Sequence, residues 1–364
     1  MRRIRTGVVG YGLGGRVFHA PFASAVPSLE LTAIVQRTGE SARDAYPAVP
    51  LLRSFEELLA TDVELVCIST PSNTHYALSK QALLAGKHVV CDKPVTVTAA
   101  EAEDLEATAK AQGVLMVPFQ NRRWDGDFLT LKSIIESGRA GRTVSLDSRF
   151  DRYRPLQKPG AWRDDTNGGG LLYDIGPHLI DQAVALFGRP GRVWANVRRD
   201  RDEQGQTPDA FDLHLWFTGQ DGREITVRLG STVLAVNPGP RYRLQGTAGS
   251  YVKFGLDPQE PAIVAGATVP HMDSAEPWLD EPESAWGTLS VAPDPADPGT
   301  VEQSQLPTSR GDYRVFYRNV ADTVLGRAEQ AVPARAAVHV ARIIELALQS
   351  EQEGRVVPVD ASTW

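Results

Sequence analysis

The sequence predicts an α/β N-terminal domain of the doubly wound type, followed by an α+β domain with a large, mostly antiparallel open sheet. In the first third of the chain, short apolar runs alternate repeatedly with helical patterns, which is typical of a parallel sheet covered by helices. Beyond about residue 140, several segments alternate apolar and polar residues, as half-buried strands do. The 364 residues also exceed what one hydrophobic core usually serves. We therefore expect two domains, residues 1–121 and residues 122–364.

Composition narrows the class of protein before any motif is considered. Hydrophobic residues make up 42% and charged residues 23%, as in an ordinary soluble globular protein, and the net charge of −7 argues against nucleic acid as the main partner. No apolar run is long enough to span a bilayer, and the basic start leads directly into a strand without the apolar stretch of a signal peptide. The two cysteines, Cys67 and Cys91, lie in apolar runs and are expected to be buried thiols. We expect a cytoplasmic protein that binds neither nucleic acid nor membrane.

The first strand and the loop after it predict a dinucleotide site. Ile4–Val9 is a short apolar strand, Gly10-Tyr11-Gly12-Leu13-Gly14-Gly15 fits the pattern G-x-G-x-x-G, and residues 16–25 form a helical pattern. The pattern alone is weak, but a strand before it and a helix after it favour dinucleotide binding. Glycines permit a tight turn and a close approach of backbone to pyrophosphate, and N–H groups at the helix start face the anion. The candidate cofactor-binding residues of this loop are Gly10, Gly12, Leu13 and Gly15.

The end of the second strand indicates which dinucleotide is bound. Leu29–Val35 is followed by Gln36, Arg37 and Thr38, whereas an NAD site usually places an acidic residue there for the ribose 2′-hydroxyl. Arg37 instead offers a cation, and Thr38 a hydroxyl, to a 2′-phosphate. NADP is therefore expected in preference to NAD, although NAD is not excluded. The alternative is that Arg37 only stacks on the adenine.

The remaining elements of the first domain carry clear start and stop signals. Ser54 and Thr98 each open a capping box before a helix, and Gly86 and Gly113 each follow a helix as its C-terminal stop. Mostly apolar runs at 63–68, 88–91 and 114–118 are typical of central strands in a parallel sheet.

A lysine follows one of these strands. Asp92-Lys93-Pro94 ends the run His88–Cys91 abruptly. Ligands of open parallel sheets sit beyond the carboxyl ends of the strands, so Lys93 is well placed to meet a substrate. Taken alone, Lys93 is more simply an ordinary loop lysine, and the rest of the chain must decide between the two interpretations.

The second domain begins after residues 121–125. A helix is expected at 127–137 and a strand at 143–148, and residues 151–170 form an irregular stretch that is a candidate lid or substrate collar. An antiparallel sheet with a hairpin turn at 218–222 is predicted from the alternating segments 192–198, 211–217, 224–233 and 241–245. One face of this sheet should pack against helices, and the other is a candidate interface in a homodimer or homotetramer. Residues 257–309 are weakly patterned and are interpreted as a long surface excursion, and 313–325 and 333–349 as the last helices.

A carboxylate and a histidine stand together after a glycine run. Asp174 and His178 flank Gly176-Pro177, and proline suits the first turn of a helix. If the segment is helical from Asp174, the i,i+4 spacing puts both side chains on one face. The positive end of the helix would favour a neutral imidazole that can act as a base. A lone histidine is more often structural, but one beside a carboxylate at a helix start is a catalytic candidate.

Together these motifs resemble the glucose–fructose oxidoreductase / inositol dehydrogenase family (Gfo/Idh/MocA). The resemblance covers essentially the whole chain, and Asp92 stands where the family usually has glutamate. It looks most like the bacterial branch that holds NADP-dependent scyllo-inositol dehydrogenases. The matching motifs, in chain order, are Gly10-x-Gly12-x-x-Gly15, Thr70-Pro71-x-x-x-His75, Ala85-Gly86-Lys87-His88-Val89, Asp92-Lys93-Pro94 and Asp174-x-Gly176-x-His178.

The resemblance implies a Rossmann domain, a second domain with an open sheet, and a substrate site to which Lys93, Asp174 and His178 contribute. It also implies that the Lys93–Pro94 bond is often cis. Further cofactor contacts are implied for Thr70, Pro71, Asn73 and His75, in addition to Lys93. Asn121, Arg123 and Trp162 are weaker candidates for substrate contacts, and a structural role is the equal alternative for each. No metal site is expected.

The implied activity is reversible oxidation of a secondary hydroxyl on a polyol or sugar. His178 would be the acid/base, Lys93 would hold the substrate oxygen, and Asp174 would orient His178 or bind a neighbouring hydroxyl. Two alternatives stay open: an NAD-dependent glycosidase on the same scaffold, and a non-enzymatic dinucleotide-binding sensor.

Overall fold

The computed structural model describes residues 2–156, 168–201, 207–275, 277–294, 296–297 and 299–364. The chain divides into two compact units, and each is formed by separate stretches of sequence. Unit 1 comprises Met1–Trp124, Pro258–Leu279 and Asp312–Ala341, and unit 2 comprises Asp125–Asp257, Asp280–Gly311 and Arg342–Trp364. The chain first leaves unit 1 three residues after the predicted boundary, and it later returns twice.

Unit 1 is built on a six-stranded sheet in which all neighbouring strands are parallel. The strand order β3-β2-β1-β4-β5-β6 is that of the doubly wound dinucleotide-binding fold, which confirms the predicted α/β class. The strands are β1 (Ile4–Val9), β2 (Leu29–Val35), β3 (Leu51–Leu52), β4 (Leu65–Ile68), β5 (His88–Cys91) and β6 (Met116–Pro118).

Two of the helices between these strands begin at the predicted signals, and two end at them. Ser54 accepts a hydrogen bond from the Glu57 N–H at 3.1 Å, and Thr98 forms a complete capping box with Glu101. Gly86 and Gly113 follow their helices with φ of +71° and +65°, a conformation that glycine adopts without strain. The helices are α1 (Ala20–Ala25), α2 (Ser41–Ala45), α3 (Phe55–Leu59), α4 (His75–Leu84) and α5 (Ala99–Gln112).

Unit 2 contains a nine-stranded sheet of order β14-β13-β12-β11-β7-β10-β9-β8-β15. Every neighbouring pair is antiparallel except β7 and β10, so the predicted mostly antiparallel open sheet is confirmed. The strands are β7 (Thr143–Arg149), β8 (Pro190–Arg198), β9 (Ala210–Thr218), β10 (Glu224–Thr232), β11 (Tyr242–Gly246), β12 (Gly249–Lys253), β13 (Gly287–Val291), β14 (Glu302–Leu306) and β15 (Val357–Pro358).

One face of the unit 2 sheet is covered by helices. Along β9, alternate residues point into the interior and are buried, among them Leu213, Leu215 and Phe217. The ring of Phe217 contacts Phe187 at the end of the covering helix, with centroids 5.5 Å apart. The helices of this part of the chain are α6 (Gly126–Glu136), α7 (Leu171–Asp174) and α8 (Gly176–Phe187).

The interpretation of residues 257–309 as a surface excursion is wrong in two respects. β13 and β14 extend the unit 2 sheet by two strands, and the start of the segment belongs to unit 1. Within unit 1, the buried Gln259 accepts hydrogen bonds from the Trp278 indole and from the Tyr313 N–H, both at 2.9 Å. β14 is an edge strand that is almost wholly exposed, so its sequence carries no apolar alternation to recognise.

The chain returns to unit 1 with three helices, α9 (Gln259–Val264), α10 (Tyr313–Val324) and the first part of α11 (Arg335–Glu353). Tyr313, Phe316 and Tyr317 of α10 are fully buried, in the same core cluster as Val8 and Cys67 from one side of the first sheet. The other side of that sheet forms a second cluster with α5 and α11 residues. In the part of the chain that is described, no helix is long and apolar enough to cross a membrane.

Candidate active site

The glycine loop after β1 is packed so tightly that an added Cβ would clash at Gly10, Gly14 and Gly15, whereas Gly12 has room for one. Gly10 has φ of +93°, and a Cβ there would lie 2.2 Å from the Ser69 carbonyl oxygen. A Cβ on Gly15 would lie 1.9 Å from the carbonyl oxygen of Gly10. At Gly12, by contrast, an added Cβ meets nothing within 4 Å. The open space at Gly12 is what a loop needs if its backbone is to receive a pyrophosphate.

The predicted helix at 16–25 consists of two parts. Gly15–His19 forms a single π-helical turn, and α1 follows from Ala20. Such turns are frequent at functional sites. Leu13, at the tip of the loop, is 49% exposed. The Arg16 N–H bonds to the Gly12 carbonyl at 3.0 Å, which closes the first turn after the loop.

Arg37 and Thr38 lie exposed directly after β2, at the same edge of the sheet as the glycine loop. The conformation of this turn depends on Arg53, which donates hydrogen bonds to the carbonyls of Gln36 and Gly39 at 3.0 and 2.7 Å. Arg53 also forms an ion pair with Glu40, the only acidic side chain within three residues of Arg37. Sequence reasoning missed Arg53 because nothing local links a residue after β3 to the end of β2.

The segment 69–75 after β4 is ordered by its own hydroxyl groups. The Thr70 and Thr74 hydroxyls are 2.6 Å apart, and Thr74 donates to the Pro71 carbonyl at 2.7 Å. Pro71 and Asn73 are exposed, in positions from which a ligand can be contacted. His75 is different, because its ring is buried and both of its nitrogens contact backbone carbonyl oxygens. The structure thus places His75 beneath the loop and not on its surface.

Lys93 follows β5 and is half-buried, and the Lys93–Pro94 bond is cis, as the resemblance implied. The preceding Asp92 accepts a hydrogen bond from the Ser69 hydroxyl at 2.7 Å, and His19 Nε2 lies 3.4 Å from the same carboxylate. Burial on its own would raise the pKa of Asp92, but His19, His75 and the Ser69 hydroxyl outweigh it and lower the pKa to about 2. Asp92 is therefore ionised at neutral pH.

A further residue completes this network from far along the chain. The Tyr317 hydroxyl is 2.6 Å from His19 Nδ1 and donates to the Phe18 carbonyl at 3.1 Å. His19 is fully buried, and its ring packs 4.5 Å from that of Phe119. The chain Tyr317–His19–Asp92–Ser69 ties α10 to the residue before Lys93. Sequence reasoning named Asp92 only as part of its motif and found neither Tyr317 nor His19.

Asp174 and His178 of unit 2 are both buried, at 4% and 5% exposure. The continuous helix considered from the sequence is in fact two helices, because α7 ends at Asp174 and α8 begins at Gly176. Pro177 has no N–H and cannot donate to the carbonyl four residues earlier, so the chain starts a new helix there. His178 lies in the first turn of α8.

The helix that carries His178 is fixed to the sheet by buried polar groups. Gln182, one turn further along α8, accepts hydrogen bonds from Arg241 and from the Tyr242 hydroxyl, both at 2.9 Å. Arg241 also donates to the Ser148 hydroxyl at 2.8 Å and lies over the Tyr242 ring. Each of these groups is at most 3% exposed. This buried network links α8 to the sheet and so helps to orient His178.

Of the three weaker candidates for substrate contacts, two lie among the described residues and one does not. Asn121 is buried, and Arg123 donates a hydrogen bond to the Ala331 carbonyl at 3.1 Å. Both stand in the turn Asn121–Trp124 of unit 1. Trp162 lies outside the described residues, as does much of the predicted substrate collar. Among the residues whose placement is described, no group of three or more His, Cys, Asp or Glu side chains could hold a metal ion.

The structure therefore brings one set of candidates together at a single edge of the first sheet. The Gly10 N–H bonds to the Val35 carbonyl, Ser69 to Val9, and Asp92 to Ile68, at 2.8 to 3.0 Å. Four loops therefore leave neighbouring strands at the same level of this edge. They start at Gly10, Arg37, Ser69 and Asp92. Asp174 and His178 belong to unit 2 and form a second set.

Comparison with known proteins agrees with this arrangement. Residues 4–119 match the model of an oxidoreductase family's NAD-binding Rossmann fold, and residues 132–359 match its C-terminal alpha/beta domain. An uncharacterized oxidoreductase of Schizosaccharomyces pombe is 39% identical over 97% of this chain and 98% of its own. The scyllo-inositol 2-dehydrogenase (NADP(+)) IolW of Bacillus subtilis is 35% identical over 98% and 96%.

Among solved structures, the putative oxidoreductase yvaA of Bacillus subtilis is similar with a TM-score of 0.90. It is 34% identical in sequence, and the match covers 99% of both chains. Since the family's two models match residues 4–119 and 132–359 and several relatives match over nearly their whole length, the chain belongs to the Gfo/Idh/MocA family of oxidoreductases and has its NAD-binding Rossmann domain.

Proposed function

We propose that the protein is an NADP-dependent dehydrogenase that reversibly oxidises a secondary hydroxyl of an inositol-like polyol or sugar. The main support for the proposal is that the glycine loop and Lys93 lie at the same edge of the first sheet. The strands that precede them, β1 and β5, are both hydrogen-bonded to β4 between them. Ligands of doubly wound sheets bind beyond this edge. The printed name of the Bacillus subtilis relative, a scyllo-inositol 2-dehydrogenase, supports the substrate class.

Each candidate side chain has a proposed chemical role. Lys93 holds the substrate oxygen and stabilises negative charge that develops on it. His178 takes the hydroxyl proton as general base and returns it in the reverse reaction. Asp174 orients His178 or binds a neighbouring hydroxyl. A nicotinamide cofactor, when bound, supplies the hydride acceptor, and the cradle at Gly10, Gly12 and Gly15 fits its pyrophosphate. Asn121, Arg123 and Trp162 remain proposed substrate contacts.

The preference for NADP rests on the turn after β2. Arg37 is exposed there, and the nearby Glu40 is neutralised by ion pairs with Arg43, at 2.9 Å, and with Arg53. A ribose 2′-phosphate would therefore meet a net positive surface, and the end of β2 carries no acidic residue of the kind that an NAD site uses. The NADP(+) in the printed name of the Bacillus subtilis relative favours the same choice.

A substrate panel tests the proposed function. Inositols and aldoses are offered with NADP⁺ and with NAD⁺, and net reduction of free cofactor is followed by its absorbance. We expect turnover with at least one inositol-like polyol and a higher kcat/KM with NADP⁺. Cleavage of a glycoside without net reduction would identify the glycosidase instead. Tight dinucleotide binding with no turnover of any compound would favour the sensor.

We also propose that the open face of the unit 2 sheet mediates formation of a homodimer or homotetramer. Trp194, His214 and Trp216 form a row of edge-to-face rings on this face, and Arg192 covers Trp216 at 4.6 Å. Phe217, the next residue of β9, lies on the buried face of the sheet. Light scattering of wild type and of Trp216→Glu tests the proposal: the variant should have a smaller mass, and equal masses would contradict it.

A further inference from the structure

His75 joins two of the loops that meet at the carboxyl edge of the first sheet. Its side chain is 1% exposed and stands at the start of α4. Nδ1 lies 2.7 Å from the Pro94 carbonyl oxygen, and Nε2 lies 2.8 Å from the Thr70 carbonyl oxygen. One of these carbonyls follows Lys93 directly, and the other belongs to the loop after β4. A single ring therefore spans the two segments.

Both contacts require a donor on the histidine. A carbonyl oxygen can only accept a hydrogen bond, and a neutral imidazole carries one N–H. In either neutral tautomer, one ring nitrogen would direct its lone pair at a carbonyl oxygen less than 3 Å away. Rotating the ring by 180° would replace these nitrogens with carbons and would remove both hydrogen bonds. Only the imidazolium satisfies the two carbonyls together.

We propose that His75 is a buried imidazolium that ties residues 69–75 to residues 92–94 and so positions Lys93. His75 is then a positioning residue, which acts through the backbone on either side of it and does not contact the cofactor. This inference deepens the proposed function, since it rests on the proposed role of Lys93. The protonation state of the ring can be tested without any catalytic activity.

The anionic group near His75 is the Asp92 carboxylate, directly after β5. The Cys91 thiol at the end of β5 also lies beside the ring. Burial alone would lower the pKa of His75, but Cys91, the Pro94 carbonyl and Asp92 outweigh it and raise the pKa to about 9. Asp92, whose pKa is held at about 2 against the effect of burial by His19, His75 and Ser69, is available as counter-ion over the whole neutral range. The buried cation therefore has a local partner.

Neutron diffraction from cofactor-free wild-type crystals at neutral pH tests the charge directly. We expect deuterium on both ring nitrogens of His75. His88 is an internal control, because its Nδ1 accepts the Leu115 N–H at 3.0 Å and its pKa is lowered, mainly by burial. It should carry deuterium on Nε2 alone. A bare nitrogen on His75 would overturn the inference, whatever reaction the protein catalyses.

A pair of variants tests the positioning role. His75→Gln keeps a donor for only one carbonyl, so we expect kcat to fall about 10- to 100-fold, as small misplacements of reacting groups do. The dissociation constant for NADP⁺ should change less than about 3-fold, because the glycine loop is intact. His88→Gln, the matched control, should change neither quantity. Adding His75→Gln to Lys93→Ala should cause little further loss, because Lys93 is then no longer there to be positioned.

Two results would contradict positioning. A loss of NADP⁺ affinity as large as the loss of kcat would make His75 a cofactor ligand, and multiplicative losses with Lys93→Ala would make the two residues independent. If the wild-type protein oxidises no polyol, the proposed function fails, and the crystal structure of His75→Gln decides the inference instead. A displaced Lys93 backbone supports it, and an unchanged one refutes it. If His75→Gln does not fold, the neutron map of the wild type still decides the protonation state.

Discussion

Replacing Gly12 by alanine should abolish most cofactor binding while leaving the fold intact. An added Cβ at Gly12 meets no protein atom within 4 Å, and its φ lies outside the positive range that disfavours alanine. The methyl group would instead occupy the space where the backbone is expected to receive the pyrophosphate. Gly12→Ala should therefore weaken cofactor binding without destabilising the protein.

The magnitude follows from the hydrogen bonds that the methyl group would prevent. A hydrogen bond to a charged group contributes about 1.5–3 kcal/mol, and a phosphate pushed away from the loop loses at least one or two of them. A loss of about 3 kcal/mol corresponds to a dissociation constant raised on the order of 100-fold. Stability should change by less than about 0.5 kcal/mol, as for substitutions that create no clash.

The assay is fluorescence titration with NADPH beside urea unfolding of the same samples. Gly239→Ala is the matched control, since an added Cβ there also meets nothing within 4 Å, and it should change neither quantity. Gly15→Ala is the opposite control, because its Cβ would lie 1.9 Å from the Gly10 carbonyl oxygen and should destabilise the protein. Unchanged NADPH affinity in a stable Gly12→Ala protein would refute the glycine loop as the cofactor cradle.

Three further predictions use the same measurements. Arg37→Ala should weaken NADPH binding about 10- to 100-fold, the effect of one charge-assisted bond to a phosphate, and NADH binding far less. Equal losses would indicate that Arg37 only stacks on adenine. Asp92→Asn should lower the free energy of unfolding at pH 7 by about 2 kcal/mol, because the pKa falls from 3.8 to about 2 in the folded state. The stabilisation by the Asp92 carboxylate is complete above the pKa that the group has in the unfolded chain, and it is lost as the pH falls from about 4 through about 2. The stability of the Asn variant should therefore change less than that of the wild type over this range. Asp104→Asn, which breaks a partly exposed pair with Lys80, should cost less than about 1 kcal/mol, and equal costs for the two variants would contradict the buried network. Thr98→Ala should cost about 1 kcal/mol through the capping box of α5, and urea midpoints that match wild type would contradict it.

Much of unit 1 could be predicted because its signals are local. The strands Ile4–Val9, Leu29–Val35 and His88–Cys91 begin and end where their apolar runs do. Thr98 and Gly113 mark the two ends of α5 within the sequence itself. Buried parallel strands need mostly apolar runs, and helix ends need capping residues, so both can be recognised from the sequence alone.

The supporting residues of the candidate site could not be predicted, because their contacts join distant parts of the chain. Tyr317 reaches His19 across 298 positions. Asp257 accepts a hydrogen bond from the Gly126 N–H at 2.7 Å and so caps α6, although Asp125 stands at the adjacent N-cap position. No spacing rule relates such residues, and only the folded chain brings them together.

The chemistry proposed for His75 shows what the structure adds to a motif. The sequence identified Thr70-Pro71-x-x-x-His75 and, through the resemblance, suggested a cofactor contact. The structure shows both ring nitrogens engaged with backbone carbonyls inside the protein. A motif indicates that a residue type is required at a position, and the contacts of its side chain in the structure explain that requirement.

The central claim is that Lys93 and His178 act on the same substrate oxygen. A double-mutant cycle in single-turnover reduction of NADP⁺ by the best polyol tests it, using Lys93→Ala, His178→Ala and the double variant. His178→Ala alone should lower the rate on the order of 10²–10⁴-fold, and the double variant should lose little more than the worse single one. Losses that multiply, or a His178→Ala protein with wild-type rate, would contradict the claim.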